Sequence, residues 1–96
     1  MAIKHNKKIP VHPGEVLQEL LQELNVTQTS LANNIGVTQS YVSDIINGRR
    51  DMTATMAYKL GAALEVPAES WMNLQKNWEL SKVNPQVAKG IKKMAA

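Results

Sequence analysis

Residues 27–48 read TQTSLANNIGVTQSYVSDIING, and this stretch decides the fold. Thr27 and Thr38 are residues of a type that caps helix N-termini, so the stretch predicts one helix after each of them. Gly36 stands between the two helices, where a tight turn needs a residue that accepts a positive φ. The pattern therefore predicts two short helices joined by almost no loop.

The two predicted helices carry the residues that a steep crossing requires. Ala32 supplies a small side chain where the helices touch, and Val42 and Ile45 anchor the second helix from its buried side. The other face of the second helix is polar but lacks the Glu and Lys typical of a solvated helix. Short hydrogen-bonding side chains suit the reading of base edges in a DNA groove. The spacing thus favours a helix-turn-helix over an ordinary helical hairpin with a glycine in its turn.

The sequence on either side predicts three more helices and nothing that alternates like a strand. One helix begins at residues 12–15, another follows Thr53, and a fifth opens at Pro67. A short sixth helix from Pro85 is left open. The predicted fold class is therefore all-α, with five helices around one core. The predicted core residues are Val16, Leu17, Leu20, Leu21, Leu24, Leu31, Ala32, Ile35, Val42, Ile45, Ile46, Met56, Ala57, Leu60, Ala63, Leu64 and Trp71.

The charge divides the 96 residues into three parts. Residues 1–11 form a basic N-terminal arm of charge +3, residues 12–80 a folded domain of charge −4, and residues 81–96 a basic tail of charge +4. Arg49 and Arg50 are the only adjacent bases in the acidic domain. The basic ends attract polyanions such as DNA, or they are solvated termini, and the sequence leaves both interpretations open.

Several classes of protein are disfavoured by what the sequence lacks. It has no cysteine, which excludes disulfides and thiolate metal sites and makes the cytoplasm the expected compartment. No apolar run approaches the roughly 20 residues of a membrane span, and no signal peptide is evident. No Ser/His/Asp or Cys/His set, phosphate loop or metal-spaced cluster is present. We therefore expect no enzyme, no catalytic residue, no metal and no cofactor.

The motif resembles the lambda-repressor-like (Cro/C1, or XRE) helix-turn-helix family, and the wider chain resembles its HigA/VapI antitoxin branch. The resemblance covers residues 12–80, and its first and last signatures are the specific ones. The stretches that carry it are HPGE at 12–15, IGVT at 35–38, NGRR at 47–50, LEV at 64–66, WMNLQ at 71–75 and WEL at 78–80.

The resemblance implies a set of DNA-binding residues. In that family, the first residue of the first motif helix binds a DNA phosphate. The start of the second motif helix, the recognition helix, contacts the DNA backbone and base edges, and the loop after it binds a second group of phosphates. Carried over by position, the set is Gln28, Thr38, Gln39, Ser40, Tyr41, Ser43, Asp44, Asn47, Arg49 and Arg50. Gln39 is of a type that pairs bidentately with adenine. Asp44 departs from the usual neutral or basic residue, and it either accepts from a cytosine amine or orients Arg49 or another residue.

Two protein partners are expected as well. One such module contacts too few base pairs for specificity, so these repressors pair, and the surplus of apolar residues near the C-terminus predicts a homodimer interface at Trp78 and Leu80. The alternative is that the tryptophans complete the core, which is the interpretation preferred for Trp71. The resemblance also implies a small basic toxin that cleaves mRNA on the ribosome. Glu15, Glu19 and Glu23 form a carboxylate stripe that suits such a partner or is a solvated face.

The resemblance implies an operator-binding repressor that is also the antitoxin of a type II toxin-antitoxin pair and controls its own operon. Two alternatives stay open. One is a stand-alone helix-turn-helix regulator without a toxin. The other is a module that sequesters a partner and has lost operator binding.

Overall fold

The computed structural model describes residues 10–94, which form five α-helices and no strand. The predicted all-α architecture is confirmed, and the segment from Pro85 forms one exposed 3₁₀ turn in place of a sixth α-helix. No helix among these residues has both the length and the apolar character to cross a membrane. The helices are α1 (Pro13–Leu24), α2 (Gln28–Ile35), α3 (Gln39–Ile46), α4 (Ala54–Leu64) and α5 (Ala68–Ser81).

Three of the five helices begin at a threonine cap. The hydroxyl oxygen of Thr27 accepts from the Ser30 N–H over 3.0 Å, that of Thr38 from the Tyr41 N–H over 3.1 Å, and that of Thr53 from the Met56 N–H over 3.2 Å. Each bond satisfies a backbone donor that the first turn leaves without a partner, which is worth about 1 kcal/mol. The caps predicted at Thr27 and Thr38 are confirmed, and the three caps fix where α2, α3 and α4 start.

The first helix is capped by a histidine. Nδ1 of His12 accepts from the Gly14 N–H over 2.9 Å, and Pro13 occupies the first helical position. The His12 side chain is buried, so this cap lies inside the protein. At the other end Asn25 closes the helix in the left-handed region, with φ at 57°.

The helices enclose one core, with α1 packed on α3 and α5, α2 on α3 and α4, and α4 on α5. Trp71 is fully buried, which confirms its predicted core position. The prediction of Leu24, Ile35 and Ala63 as core residues is wrong in part, because they are only half-buried against its edge. Ile35 is the last residue of α2 and Leu24 the last of α1, so neighbouring helices cover each from one side only.

Three core residues lie outside the helices, where periodicity gives no signal. Met52 and Val66 are buried in the connections before α4 and α5, and Val11 is buried before α1. Val11 falls within the predicted N-terminal arm, so the folded part begins at least one residue before the expected boundary at His12. Lys4, Lys7 and Lys8 of that arm lie outside the described residues.

The start of α1 lies directly against the end of α3. A Cβ atom on Gly14 would overlap the backbone carbonyl oxygen of Ile45, so only glycine allows this approach. The contact is between backbones and leaves no side chain to adjust. Gly14 therefore fixes the position of the second motif helix on the body of the protein.

Candidate nucleic-acid interface

The turn between α2 and α3 has the predicted geometry. Gly36 lies in the left-handed region with φ at 73°, and the Val37 N–H donates to the Ala32 carbonyl over 3.0 Å. Ala32 is buried at the crossing of the two helices. A side chain with a Cβ is strained at such a φ, so Gly36 allows α3 to leave α2 with no further loop. The N-terminus of α3 therefore lies at the protein surface, where Gln39 and Ser40 are exposed.

A hydrogen bond joins the first residues of the two motif helices. Nε2 of Gln39 donates to Oε1 of Gln28 over 3.0 Å. Each glutamine opens its helix, and the turn geometry brings them together across 11 positions of sequence. The turn therefore places the two side-chain amides within hydrogen-bonding distance of each other.

The last turn of α3 is fixed by a second side-chain contact. Nδ2 of Asn47 donates to the Ser43 carbonyl over 2.9 Å and lies 3.2 Å from the Ser43 hydroxyl oxygen. Ser43 is half-buried and Asn47 is exposed. These two residues thus act as one polar unit at the C-terminal end of the exposed helix face.

The segment after α3, residues 47–52, is called here the arginine loop. The N–H groups of Arg49 and Arg50 both donate to the Asp44 carbonyl, over 2.8 and 3.2 Å. Nη2 of Arg49 lies 3.2 Å from Oδ1 of Asp44, and the Arg50 guanidinium lies 4.4 Å from the centre of the Tyr41 ring. Both exposed cations are therefore held against α3.

The structure brings the ten predicted DNA-binding residues onto adjoining parts of α2, the turn before α3, α3 and the arginine loop. Four contacts join eight of them as Gln28 with Gln39, Tyr41 with Arg50, Ser43 with Asn47, and Asp44 with Arg49. Of the other two, Thr38 caps α3 and Ser40 is exposed beside it. Of the two roles considered for Asp44, the structure shows the contact that orients Arg49.

The predicted protein-contact residues lie on α1 and α5, not on the elements that carry the ten-residue set. The half-buried Trp78 packs edge to face with His12 at 5.6 Å between ring centres, and Lys82 Nζ lies 5.4 Å from the Trp78 ring. Leu80 is 65% exposed. On α1 the carboxylate stripe has Glu15 half-buried and Glu19 and Glu23 exposed.

One buried polar residue near this surface was not assigned a role from the sequence. Gln75 of α5 is 3% exposed, and its Oε1 accepts from the Met52 N–H of the arginine loop over 2.7 Å. The sequence does indicate that Gln75 is buried, because it lies one helical turn after Trp71 on the same face of α5. A buried glutamine needs a hydrogen-bond partner. No group of three or more metal-ligating side chains occurs within residues 10–94.

Comparison with known proteins places these features in context. A family model described as Helix-turn-helix matches residues 17–71. Virulence-associated protein A' of Dichelobacter nodosus is 37% identical over 86 residues, which cover 88% of this chain and 75% of that protein. Antitoxin HigA-1 of Vibrio cholerae is 40% identical over 74 residues, which cover 76% of this chain and 70% of that protein.

A solved structure is similar over nearly its full length. The Pseudomonas aeruginosa antitoxin HigA, determined with the higBA promoter, superposes with a TM-score of 0.81 at 33% sequence identity. The match covers 90% of this chain and 99% of the other.

Proposed function

Because this chain belongs to the lambda-repressor-like helix-turn-helix family, with HigA antitoxins among its relatives, we propose that it is a sequence-specific DNA-binding repressor. The observation that carries the proposal is the paired polar surface on α2, α3 and the arginine loop. It presents hydrogen-bonding side chains at the end of an exposed helix and two cations beside them. Those are the groups that read bases and hold phosphates.

The Gln28–Gln39 bond gives each glutamine a distinct role. A side-chain amide has two N–H donors and one acceptor oxygen. One donor of Gln39 is engaged by Gln28, which leaves its second donor and its oxygen for N7 and the N6 amine of adenine. Gln28 uses its oxygen in this bond and keeps its own amide N–H groups for a phosphate. The pair therefore couples a base contact to a backbone contact.

The arginine loop supplies the second flank of phosphate contacts. Arg49 and Arg50 are exposed, and their backbone positions are set by the carbonyl of Asp44 at the last turns of α3. Because the loop is hydrogen-bonded to α3, placing α3 in the major groove also places Arg49 and Arg50 near the DNA backbone. The lysines of the tail add sequence-independent attraction.

The chain is proposed to bind its operator as a dimer with a second copy of itself. A dimer places two recognition helices about one turn of DNA apart and calls for a palindromic operator. The exposed Leu80 and the half-buried Trp78 at the end of α5 are the residues proposed to meet the second copy.

Similarity to HigA-1 supports an antitoxin role in addition to repression. We propose that the chain neutralises a small basic toxin that cleaves mRNA on the ribosome, and that it represses its own operon in the cytoplasm. Of the surfaces described, the α1 stripe of Glu15, Glu19 and Glu23 has the charge that a basic partner requires. Reversing two of these charges, Glu19→Lys with Glu23→Lys, should abolish protection in cells that express the toxin and leave DNA binding intact.

Selection from a random-sequence duplex library tests the proposal and identifies the operator at the same time. Duplexes of roughly 30 base pairs hold two half-sites one helical turn apart. The full chain should enrich a palindromic sequence, and gel shifts should then give an affinity for it that falls steeply with salt. Binding with no sequence preference and a flat response to salt contradicts the proposal.

The alternatives make different predictions. In a partner-sequestering module, replacing Gln39 and Arg49 by alanine leaves both DNA and partner binding as they were. In a repressor, the same double variant loses the selected duplex. A stand-alone regulator differs in its gene neighbourhood, where no short reading frame for a basic protein lies directly upstream.

A further inference from the structure

A buried side chain of α5 holds the arginine loop from behind. Oε1 of Gln75 accepts from the Met52 N–H over 2.7 Å, across 23 positions of sequence. Gln75 and Met52 are each 3% exposed. The bond is thus shielded from water and joins the C-terminal helix to the segment that carries Arg49 and Arg50.

Glutamine at this position is not explained by packing alone. Its Nε2 is buried and has no hydrogen-bond partner among the described residues. A buried donor without a partner is costly, and an apolar side chain of similar length avoids that cost. What Gln75 supplies and an apolar residue does not is an acceptor for the loop.

The arginine loop is held by hydrogen bonds at both ends of the segment that carries Arg49 and Arg50. At the front, the N–H groups of Arg49 and Arg50 donate to the Asp44 carbonyl of α3. At the back, the Met52 N–H donates to Oε1 of Gln75. The arginine backbone is therefore fixed between α3 and the body of the protein.

We infer that Gln75 is a positioning residue for DNA binding, which keeps the arginine loop where Arg49 and Arg50 reach the phosphates beside the recognition helix. This rests on the proposed function. The reason is geometric, since binding groups act well only when held within about 0.5 Å of the productive position. Freed from Met52, the loop keeps its charge but loses its orientation.

The test replaces Gln75 by methionine, which keeps the length of the side chain and removes the acceptor. Binding of the full chain to the duplex selected by the wild-type protein is measured over a range of salt concentrations. Gln75→Met should weaken binding about tenfold and lower the slope of log affinity against log salt by about 1 to 2, as expected for one or two lost phosphate contacts. In a chain that already carries Arg49→Ala and Arg50→Ala, the same change should alter affinity less than about twofold.

Matched variants separate positioning from stability. Leu64→Ala removes a buried side chain at the C-terminal end of α4, about 15 Å along the helix from the end nearest the arginine loop. It lowers stability without touching the loop, and it should leave the salt slope unchanged. Gln75→Asn shortens the side chain by one methylene, so its amide no longer reaches Met52, and it should bind DNA as Gln75→Met does. If circular dichroism shows that Gln75→Met is unfolded, Gln75→Asn replaces it in the test.

Three results overturn the inference. A folded Gln75→Met or Gln75→Asn chain with the wild-type slope shows that the loop needs no such support. A loss of equal size with and without the two arginines shows that Gln75 acts by another route. If the wild-type chain selects no duplex, the proposed function fails together with this inference, whereas the first two results leave that function standing.

Discussion

Gln39 donates a hydrogen bond to Gln28 across the turn of the motif, with Nε2 and Oε1 3.0 Å apart. The bond links the first residue of α3 to the first residue of α2. It makes the side chain proposed to meet a base and the side chain proposed to meet a phosphate dependent on each other. Their effects on DNA binding are therefore expected to be coupled.

Replacing Gln39 by alanine should weaken binding to the selected duplex about 10- to 100-fold, the range expected for one lost bidentate base contact. Gel shifts with Gln28→Ala, Gln39→Ala and the double variant measure the coupling. The double variant should lose less than the two single losses combined, because either change breaks the shared bond. Asn73→Ala, which removes an exposed amide from α5, should bind as the wild type does. Additive losses contradict the paired arrangement.

Replacing Arg49 or Arg50 by alanine should weaken binding to selected and scrambled duplexes alike. Each change should lower the salt slope by about 1, since a phosphate contact carries charge but no sequence information. Fluorescence anisotropy at several salt concentrations gives both quantities. Lys76→Ala removes an exposed cation from α5 and controls for net charge. A loss confined to the selected duplex would show that the arginines read bases.

Replacing Gly14 by alanine should destabilise the protein, although alanine is ordinarily the better helix former. The new Cβ would overlap the carbonyl of Ile45, and such overpacking costs about 1–3 kcal/mol. For a domain of this size, each kcal/mol lowers Tm by roughly 4–8 °C. Gln18→Ala, on the exposed face of the same helix, should leave Tm nearly unchanged. A raised Tm for Gly14→Ala would contradict the close approach of α1 to α3.

Replacing Thr38 by alanine should lower the free energy of unfolding by about 1 kcal/mol, because the Tyr41 N–H loses its cap. Thr38→Ser keeps the hydroxyl and should recover most of the loss. Urea unfolding followed by circular dichroism measures both. Equal losses for alanine and serine would mean that the methyl group, and not the cap, stabilises the helix.

Replacing Leu80 by glutamate should convert a dimer to a monomer and weaken binding to the palindromic duplex. A charge placed at a packed apolar contact is poorly tolerated in an interface core. Sedimentation equilibrium gives the oligomeric state. Val87→Glu, which adds the same charge at another exposed apolar position, is the control. If both variants remain dimeric, the interface lies elsewhere.

Much of this architecture follows from local sequence signals. Thr27, Thr38 and Thr53 each precede an apolar periodic run, and each caps the helix that the pattern predicts. A cap and its helix lie within a few residues, so one stretch of sequence contains the whole interaction. The same holds for Gly36, whose positive φ ends α2 locally.

The contacts that shape the candidate site have a different character. The Gln75–Met52 bond spans 23 positions, and the approach of Gly14 to Ile45 joins two helices separated by α2. Such pairs depend on how helices cross, which periodicity does not contain. The family resemblance gives the positions of the predicted DNA-binding residues but not the side chains that they contact. Met52 was missed because a single buried residue in a loop has no period to reveal it.

The ion pair between Asp44 and Arg49 bears on how the protein finds its target. The Arg49 guanidinium is paired with the Asp44 carboxylate on α3, so a phosphate that engages Arg49 competes with Asp44. Random stretches of DNA are therefore expected to gain less from Arg49 than its full charge would give. A genome offers roughly 10⁶–10⁹ wrong sites, and time spent on each delays arrival at the right one. We expect the competition from Asp44 to shorten those visits and so to favour a rapid search.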